Sequence, residues 1–301
     1  MRKILYGLSI IVAVTAVVVG ATTAFYNDEE TSAGNVLAAG SIDLGIDNTS
    51  YYNGLPNPGT SWALDWDLDV GSLDESGLAQ TLPRLFFNFD DLKPGDWGED
   101  TISLHVDDNA SWLCADVTLT SNDDMSSTEP ELDEVGEVLD DLSNNADGEL
   151  ASHVKFYWWA DDGDNVHEDG ETLLNDGVAF PGLGTYPVTL ADSSFNIWGD
   201  EDVNQDPAPL PENSDIRYIG KAWCFGDGDV GSYPSQIPTP DPNDDPLNMV
   251  DVNTDPTVRP VLCDGSDESN ITQTDSMTMD ITFRAEQARH LPEFSCQLRD
   301  N

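Results

Sequence analysis

Near the C-terminus, the run SMTMDITFRA (276–285) alternates apolar and polar residues, with Met277, Met279, Ile281, Phe283 and Ala285 at every second place. Successive side chains of a strand point to opposite faces, so this period of two puts one face in a core and the other in water. Similar short runs, bounded by Gly, Pro, Asn and Asp, recur at GSIDLGI (40–46), RLFFNF (84–89), DTISLHV (100–106), WLCADVTLT (112–120), HVKFYWWA (153–160), YPVTLA (186–191) and IRYIGKAWCF (216–225). Strands of this length and number predict an all-β fold, an antiparallel jelly-roll-like β-sandwich with long acidic loops. One short helix is expected in PELDEVGEVLDDL (130–142), where Pro130 opens the first turn and Leu132, Val135, Val138, Leu139 and Leu142 share a face. Its expected role is to cover a sheet edge or end.

The longest interruptions, DVNQDPAPLPENSD (202–215) and the proline-rich 233–260, favour extended loop over regular structure. Strands on both sides of them read as parts of one sheet system. The expected organisation is therefore a single domain, 39–301, carrying insertions at about 121–150 and 202–260.

Charge limits the partners. The 301 residues include 58 acidic and 11 basic side chains, a formal net charge of −47. Such a surface repels a phosphate backbone, so nucleic acid is excluded as a partner. Hydrophobic residues still make up 39%, with eight Trp, eight Tyr and ten Phe, enough to build a core. Self-repulsion on this scale calls for screening, which predicts a saline or calcium-containing exterior.

An exterior is also what the N-terminus predicts. Arg2 and Lys3 precede an apolar run densest over Ile10 to Val19, which gives way to the small residues Gly20, Ala21, Thr22, Thr23 and Ala24. That is the layout of a cleaved signal peptide, residues 1–24, read by a signal peptidase that cuts between Ala24 and Phe25. The alternative is an uncleaved anchor; the uncharged run extends to Asp28 and is long enough to span a bilayer. After cleavage no membrane attachment is expected. Residues 25–38 would then form a free, largely polar arm whose apolar positions are Phe25, Tyr26, Val36 and Leu37.

Four cysteines, Cys114, Cys224, Cys263 and Cys296, lie in the exported part, and an even count there predicts two disulfides. Three pairings are open in principle. The favoured one joins Cys224 to Cys263, tying off the proline-rich excursion between them, and Cys114 to Cys296, locking a middle strand to the C-terminal segment. No CxxC spacing or Cys/His cluster offers structural zinc.

Three blocks also carry a family resemblance: GATTAFYNDEETSAGNVLAAGSIDLGID after the apolar leader, LFFNFDDLKPGDWGEDTISLHVDDNASWLCADV (85–117), and SMTMDITFRAEQARHLPEFSC (276–296). In order and spacing they resemble the TasA/camelysin family, with its N/S-D-x-E-T-S segment, its L-K-P-G-D turn and its closing strand. The resemblance implies a jelly-roll domain, export through a dedicated signal peptidase and assembly into extracellular fibres, pili or biofilm matrix, with the chain itself as partner in a head-to-tail homopolymer. An unpaired arm can add a strand to an exposed sheet edge of the next subunit, and a head-to-tail contact that does not close makes filaments. The alternative fate of the arm is to fold back on its own domain. In the second block, Pro94 and Gly95 of LKPGD (92–96) predict a tight hairpin connection.

Metal is the leading site chemistry. ADDGDNVHEDGE (160–171) laid on a twelve-residue calcium loop places Asp162 at the third position, Asp164 at the fifth, the Val166 carbonyl at the seventh, Glu168 at the ninth and Glu171 at the twelfth. Ala160 stands where the first Asp belongs and Asn165 where Gly is usual. A calcium-stapled loop between two strands is the candidate, set against a plain solvated turn. The acidic turns FGDGDVG (225–231) and CDGSDESN (263–270) form a weaker second candidate. Camelysin carries a metallopeptidase association, but the four histidines, His105, His153, His167 and His290, nowhere form H-E-x-x-H. The chain is therefore expected not to be an enzyme. Tyr157, Trp158 and Trp159 could serve a glycan-binding surface adhesin, although aromatics on strands more often build core. Asn48, Asn109 and Asn270 head N-x-S/T sequons that permit glycosylation in an exported chain.

Overall fold

A computed structural model describes residues 42–66, 84–134, 137, 143–180, 182–211, 216–231 and 261–297. The signal peptide, the Ala24/Phe25 cut and the arm positions Phe25, Tyr26, Val36 and Leu37 lie outside these residues. Among the described residues no helix is long and apolar enough to cross a membrane.

Two antiparallel sheets face each other. The larger contains β1 (Asp43–Tyr52), β2 (Leu55–Pro56), β3 (Trp62–Asp65), β4 (Trp97–Asp107), β6 (Val154–Asp161), β7 (Leu173–Val178) and β10 (Arg217–Phe225), in the order β2-β1-β4-β10-β6-β7 with β3 also on β1. The smaller runs β13-β5-β8-β9, from β13 (Asp275–Gln287) through β5 (Ser111–Asp124) and β8 (Gly184–Asp192) to β9 (Phe195–Asn196). A two-stranded ribbon of β11 (Asp227–Asp229) and β12 (Leu262–Asp264) completes the β-structure. The expected antiparallel sandwich is therefore observed.

Its core is the product of strand alternation. Ile102 and Leu104 of β4, Phe156 and Trp158 of β6, and Ile219 and Trp223 of β10 face Leu113, Ala115, Val117 and Leu119 of β5 and Leu190 of β8 in one buried cluster. Met277, Met279, Ile281 and Phe283 of β13 pack on it half-buried, as their spacing predicts. The large sheet is also covered on its outer face. Tyr157, Trp159, Ala222 and Cys224 are buried there with Val230 and Val261, so Tyr157, Trp158 and Trp159 are all core rather than a glycan platform. Gly220 makes room for this layer: a Cβ on it would stand 2.0 Å from the Trp159 ring.

A charge sits inside this layer system. Lys221 is 0% exposed, pairs with Asp100 at 2.6 Å, and lies 5.5 Å and 5.2 Å from the ring centres of Phe86 and Phe87. Asn48 donates to Asp100 as well and is buried in the middle of β1, so the first sequon is no surface turn.

Both favoured disulfides form. Cys114 joins Cys296 with a Cα–Cα distance of 5.6 Å, and Cys224 joins Cys263 at 5.5 Å. The first ties β5 to the segment after β13. The second holds the ribbon against the end of β10.

Three expectations are corrected. The run 84–89 forms no strand: Phe86 is buried and Phe87 and Phe89 half-buried, so its apolar residues serve packing without a ladder. LKPGD is accordingly a turn but not a hairpin. Asp96 donates its backbone N–H to the Lys93 carbonyl at 2.8 Å, and its carboxylate accepts from Tyr52 and from the backbone N–H of Lys93. The expected helix is described only as one turn, α1 (Glu129–Leu132), ending at Asp133 with Leu132 exposed. Residues 135, 136 and 138–142 lie outside the described residues. A second single turn, α2 (Leu150–His153), leads into β6.

Candidate functional site

Two features stand out, a strand edge and a buried acidic loop. The edge belongs to β13, a thirteen-residue strand that pairs with β5 along its whole length, from Asp275↔Asp124 to Gln287↔Ser111. Among the described residues its other side has no strand partner. The reason is topological. In a closed eight-stranded jelly roll the first strand lies beside the last, and the second lies beside the seventh. Taking the eight long strands in chain order, β4 lies beside β10 and β13 beside β5 as that pattern requires. β1, however, pairs with β4 over its full length, from Asp43↔Asp107 to Tyr52↔Gly98, and so belongs to the opposite sheet. Among the described residues, no strand takes the position next to β13 that a first strand would fill. Thr278, Thr282, Arg284 and Glu286 alternate with the core-facing residues there, and Arg284 pairs with Asp116 of β5 at 2.9 Å.

The acidic loop joins β6 to β7. Its base is Asp161, the last residue of β6, which is 5% exposed. One Asp161 oxygen accepts from the indole N–H of Trp159 at 2.9 Å, and the other from the backbone N–H groups of Gly163 (2.9 Å) and Asn165 (3.1 Å). Gly163 and Asn165 have φ of +112° and +60°, left-handed values that Gly adopts freely and Asn tolerates. Asp164 bends back to accept from the Val166 N–H at 2.9 Å, and Glu171 accepts from the Glu168 N–H at 2.8 Å. Ala160 and Thr172 close the neck through an N–H···O bond of 2.9 Å.

Of the five residues the sequence singled out, Asp164, Val166 and Glu168 are buried, Glu171 is half-buried and Asp162 is exposed at the rim. Asp161 and Asn165 fall outside that ligand set, because a twelve-residue register beginning at Ala160 puts them at the second and sixth positions. A register anchored on the buried end of a strand would have found Asp161. Asp164 Oδ2, Glu171 Oε1 and both amide atoms of Asn165 are buried and take no hydrogen bond.

The electrostatics follow from this crowding. Burial first, then the Asp161 and Asp162 charges, push the Asp164 carboxyl far above the usual carboxylate range. Glu171 is raised by burial and then by Asp161. Asp162 rises to about 6 by loss of water around it and then by Glu168. Oxygen-rich, acidic and free of sulfur and imidazole ligands, the loop has the donor set of a hard cation. Its carboxylates are nevertheless spread out. Among the described residues the one set of three whose ligand oxygens lie mutually within 4.8 Å is elsewhere, at the end of β5.

The remaining candidates separate. The turns at 225–231 and 263–270 do meet, with Asp227 opposite Asp264 in the ribbon. Asp227 pairs with Lys155, while Asp229 and Asp264 accept from the backbone of their own turns. His105 contacts Asp47, His153 contacts Glu268 and His167 contacts the Gly231 carbonyl, each on a different part of the fold.

Fold and sites together define a two-disulfide antiparallel β-sandwich with a buried carboxylate loop and a long strand, β13, that has one strand partner among the described residues. No protein-family model matches the chain, and no characterised protein matches it.

Proposed function

We propose that this chain is a secreted structural subunit of extracellular fibres, pili or biofilm matrix, joined head to tail through its N-terminal arm and without catalysis. The observation that carries the reading is the edge of β13, beside which no strand lies among the described residues. Residues 25–38, freed by cleavage after Ala24, supply fourteen residues, about the length of β13, with apolar residues at both ends. Docked on a neighbour's β13, the arm gains main-chain hydrogen bonds and covers an edge that invites pairing in any case. Both disulfides suit an oxidising exterior. The three blocks that resemble the TasA/camelysin family point the same way.

Calcium is part of the proposal. Held by the open oxygens of Asp164 and Glu171, with Asp161, Asp162 and Glu168 near, it would supply the partner those oxygens lack and relieve the mutual repulsion of the group. That loop also favours a second reading, a monomeric surface protein that binds cations. Electron microscopy of the mature protein beginning at Phe25 and of a form beginning at residue 39 separates the two. Filaments in the first alone support assembly through the arm. An absence of filaments from both leaves the monomeric reading.

A further inference from the structure

The most compact group of carboxylates lies far along the chain from the 161–171 loop, where β5 ends and β13 begins. Asp124 and Asp275 are directly opposite each other in the antiparallel ladder, a placement that like charges disfavour. Glu131 of α1 joins them, and one ligand oxygen from each of the three lies within 4.8 Å of the other two. Glu131 is 0% exposed and Asp124 2%.

Glu131 and Asp275 are each held at one oxygen and left open at the other. Glu131 closes a capping box by accepting from the Thr128 N–H at 3.0 Å, while its Oε1 is buried without a partner. Asp275 accepts the N–H groups of Glu149 (2.6 Å) and Leu150 (2.8 Å) at the start of α2, while its Oδ1 has no partner. Asp124 accepts from the Ser126 N–H at 3.0 Å and, at its other oxygen, from the Ser127 hydroxyl at 3.4 Å. Glu149 adds a fourth carboxylate, whose buried Oε2 is also unpartnered. None of the ion pairs among the described residues reaches these four. Elsewhere the same fold answers a buried carboxylate with a cation, as Lys221 answers Asp100.

We propose that Asp124, Glu131 and Asp275, with Glu149 beside them, form a calcium site that fastens α1 and α2 to the adjoining ends of β5 and β13. Three oxygens no more than 4.8 Å apart always have a common point within about 2.8 Å of each, against 2.3–2.6 Å for calcium–oxygen bonds and 2.0–2.1 Å for magnesium. A small contraction therefore suits calcium, and a larger one is needed for magnesium. Glu149 is pushed up to about 7 by burial and then by Glu137 and Asp275, and Asp275 to about 6 chiefly by burial. A bound divalent cation offsets both effects and supplies the partner that the open oxygens lack. The site is independent of the proposed assembly and of the 161–171 loop.

The test is calorimetric titration of CaCl2, with MgCl2 as a parallel arm, into the chelator-treated mature protein, its Glu131→Gln/Asp275→Asn variant and its Asp164→Asn/Glu171→Gln variant. The expected result is a calcium site that is lost from Glu131→Gln/Asp275→Asn, retained in Asp164→Asn/Glu171→Gln, and tighter for calcium than for magnesium. An unchanged stoichiometry in Glu131→Gln/Asp275→Asn, a site absent from the unsubstituted protein, or a preference for magnesium overturns the proposal. Should that variant fail to fold, amide hydrogen exchange on the unsubstituted protein decides. Calcium must slow exchange at Glu149, Leu150 and the 124–131 segment, and unchanged rates there overturn the proposal.

Discussion

Lys221 and Asp161 show how differently two buried charges can be read from a chain. The lone lysine of IRYIGKAWCF alternates with Ile219 and Trp223 and so falls on the face between the sheets, and nothing local announces a buried partner for it there. Its partner Asp100 lies on β4, the neighbouring strand, so the pair appears only once the register Lys221↔Asp100 exists. The acids of 160–171, by contrast, were legible as a cluster from spacing alone; only the choice of first ligand failed. Their titration gives a prediction. Asp161, Asp162, Asp164, Glu149, Glu171 and Asp275 all have folded-state pKa values raised above the ordinary carboxylate range. The folded protein then holds protons that the unfolded chain has released, so stability is full below about pH 4 and is lost as pH rises through the raised values. For Glu149 and Asp275 that window closes at about 7 and about 6. Thermal unfolding in chelator should therefore fall by on the order of 5 °C or more between pH 4 and pH 7. Added calcium should flatten the trend; a midpoint that rises with pH in chelator would contradict these shifts.

At the scale of elements, the alternating runs at 100–106, 112–120, 153–160, 186–191, 216–225 and 276–285 all became strands, because period two and burial on one or both faces agree there. GSIDLGI marks the start of β1, which runs on to Tyr52 through DNTSYY, whose Asn48, Thr49 and Ser50 are buried beside β4 and β3. RLFFNF failed because packing aromatics need no ladder. β7 escaped notice since LLNDGV carries Asn, Asp and Gly inside an edge strand. The disulfides were foreseeable as staples across the chain, and they yield a graded expectation. Opening Cys114–Cys296, which closes a span of 182 residues, should cost about 2–5 kcal/mol. Opening Cys224–Cys263, across 39 residues, should cost less by about 1 kcal/mol on loop entropy. Urea unfolding of the two double Cys→Ala variants measures the difference, and an inverse order would mean that the ribbon over Tyr157 and Trp159, not chain entropy, sets the cost.

For the whole molecule, composition and alternation together reached the sandwich, but not its departure from a closed jelly roll. No local pattern says that β1 will pair with β4 rather than lie beside β13, since each offers a long antiparallel partner. On the proposed reading, that departure gives the N-terminal arm of another copy its docking edge along β13, which among the described residues has no second strand partner. The most direct test adds a peptide of residues 25–38 to the form beginning at residue 39 and follows amide hydrogen exchange. The account predicts slowed exchange in β13, over Asp275–Gln287, with little change along the edge at β7. Protection confined to any other strand, or none anywhere, would contradict it.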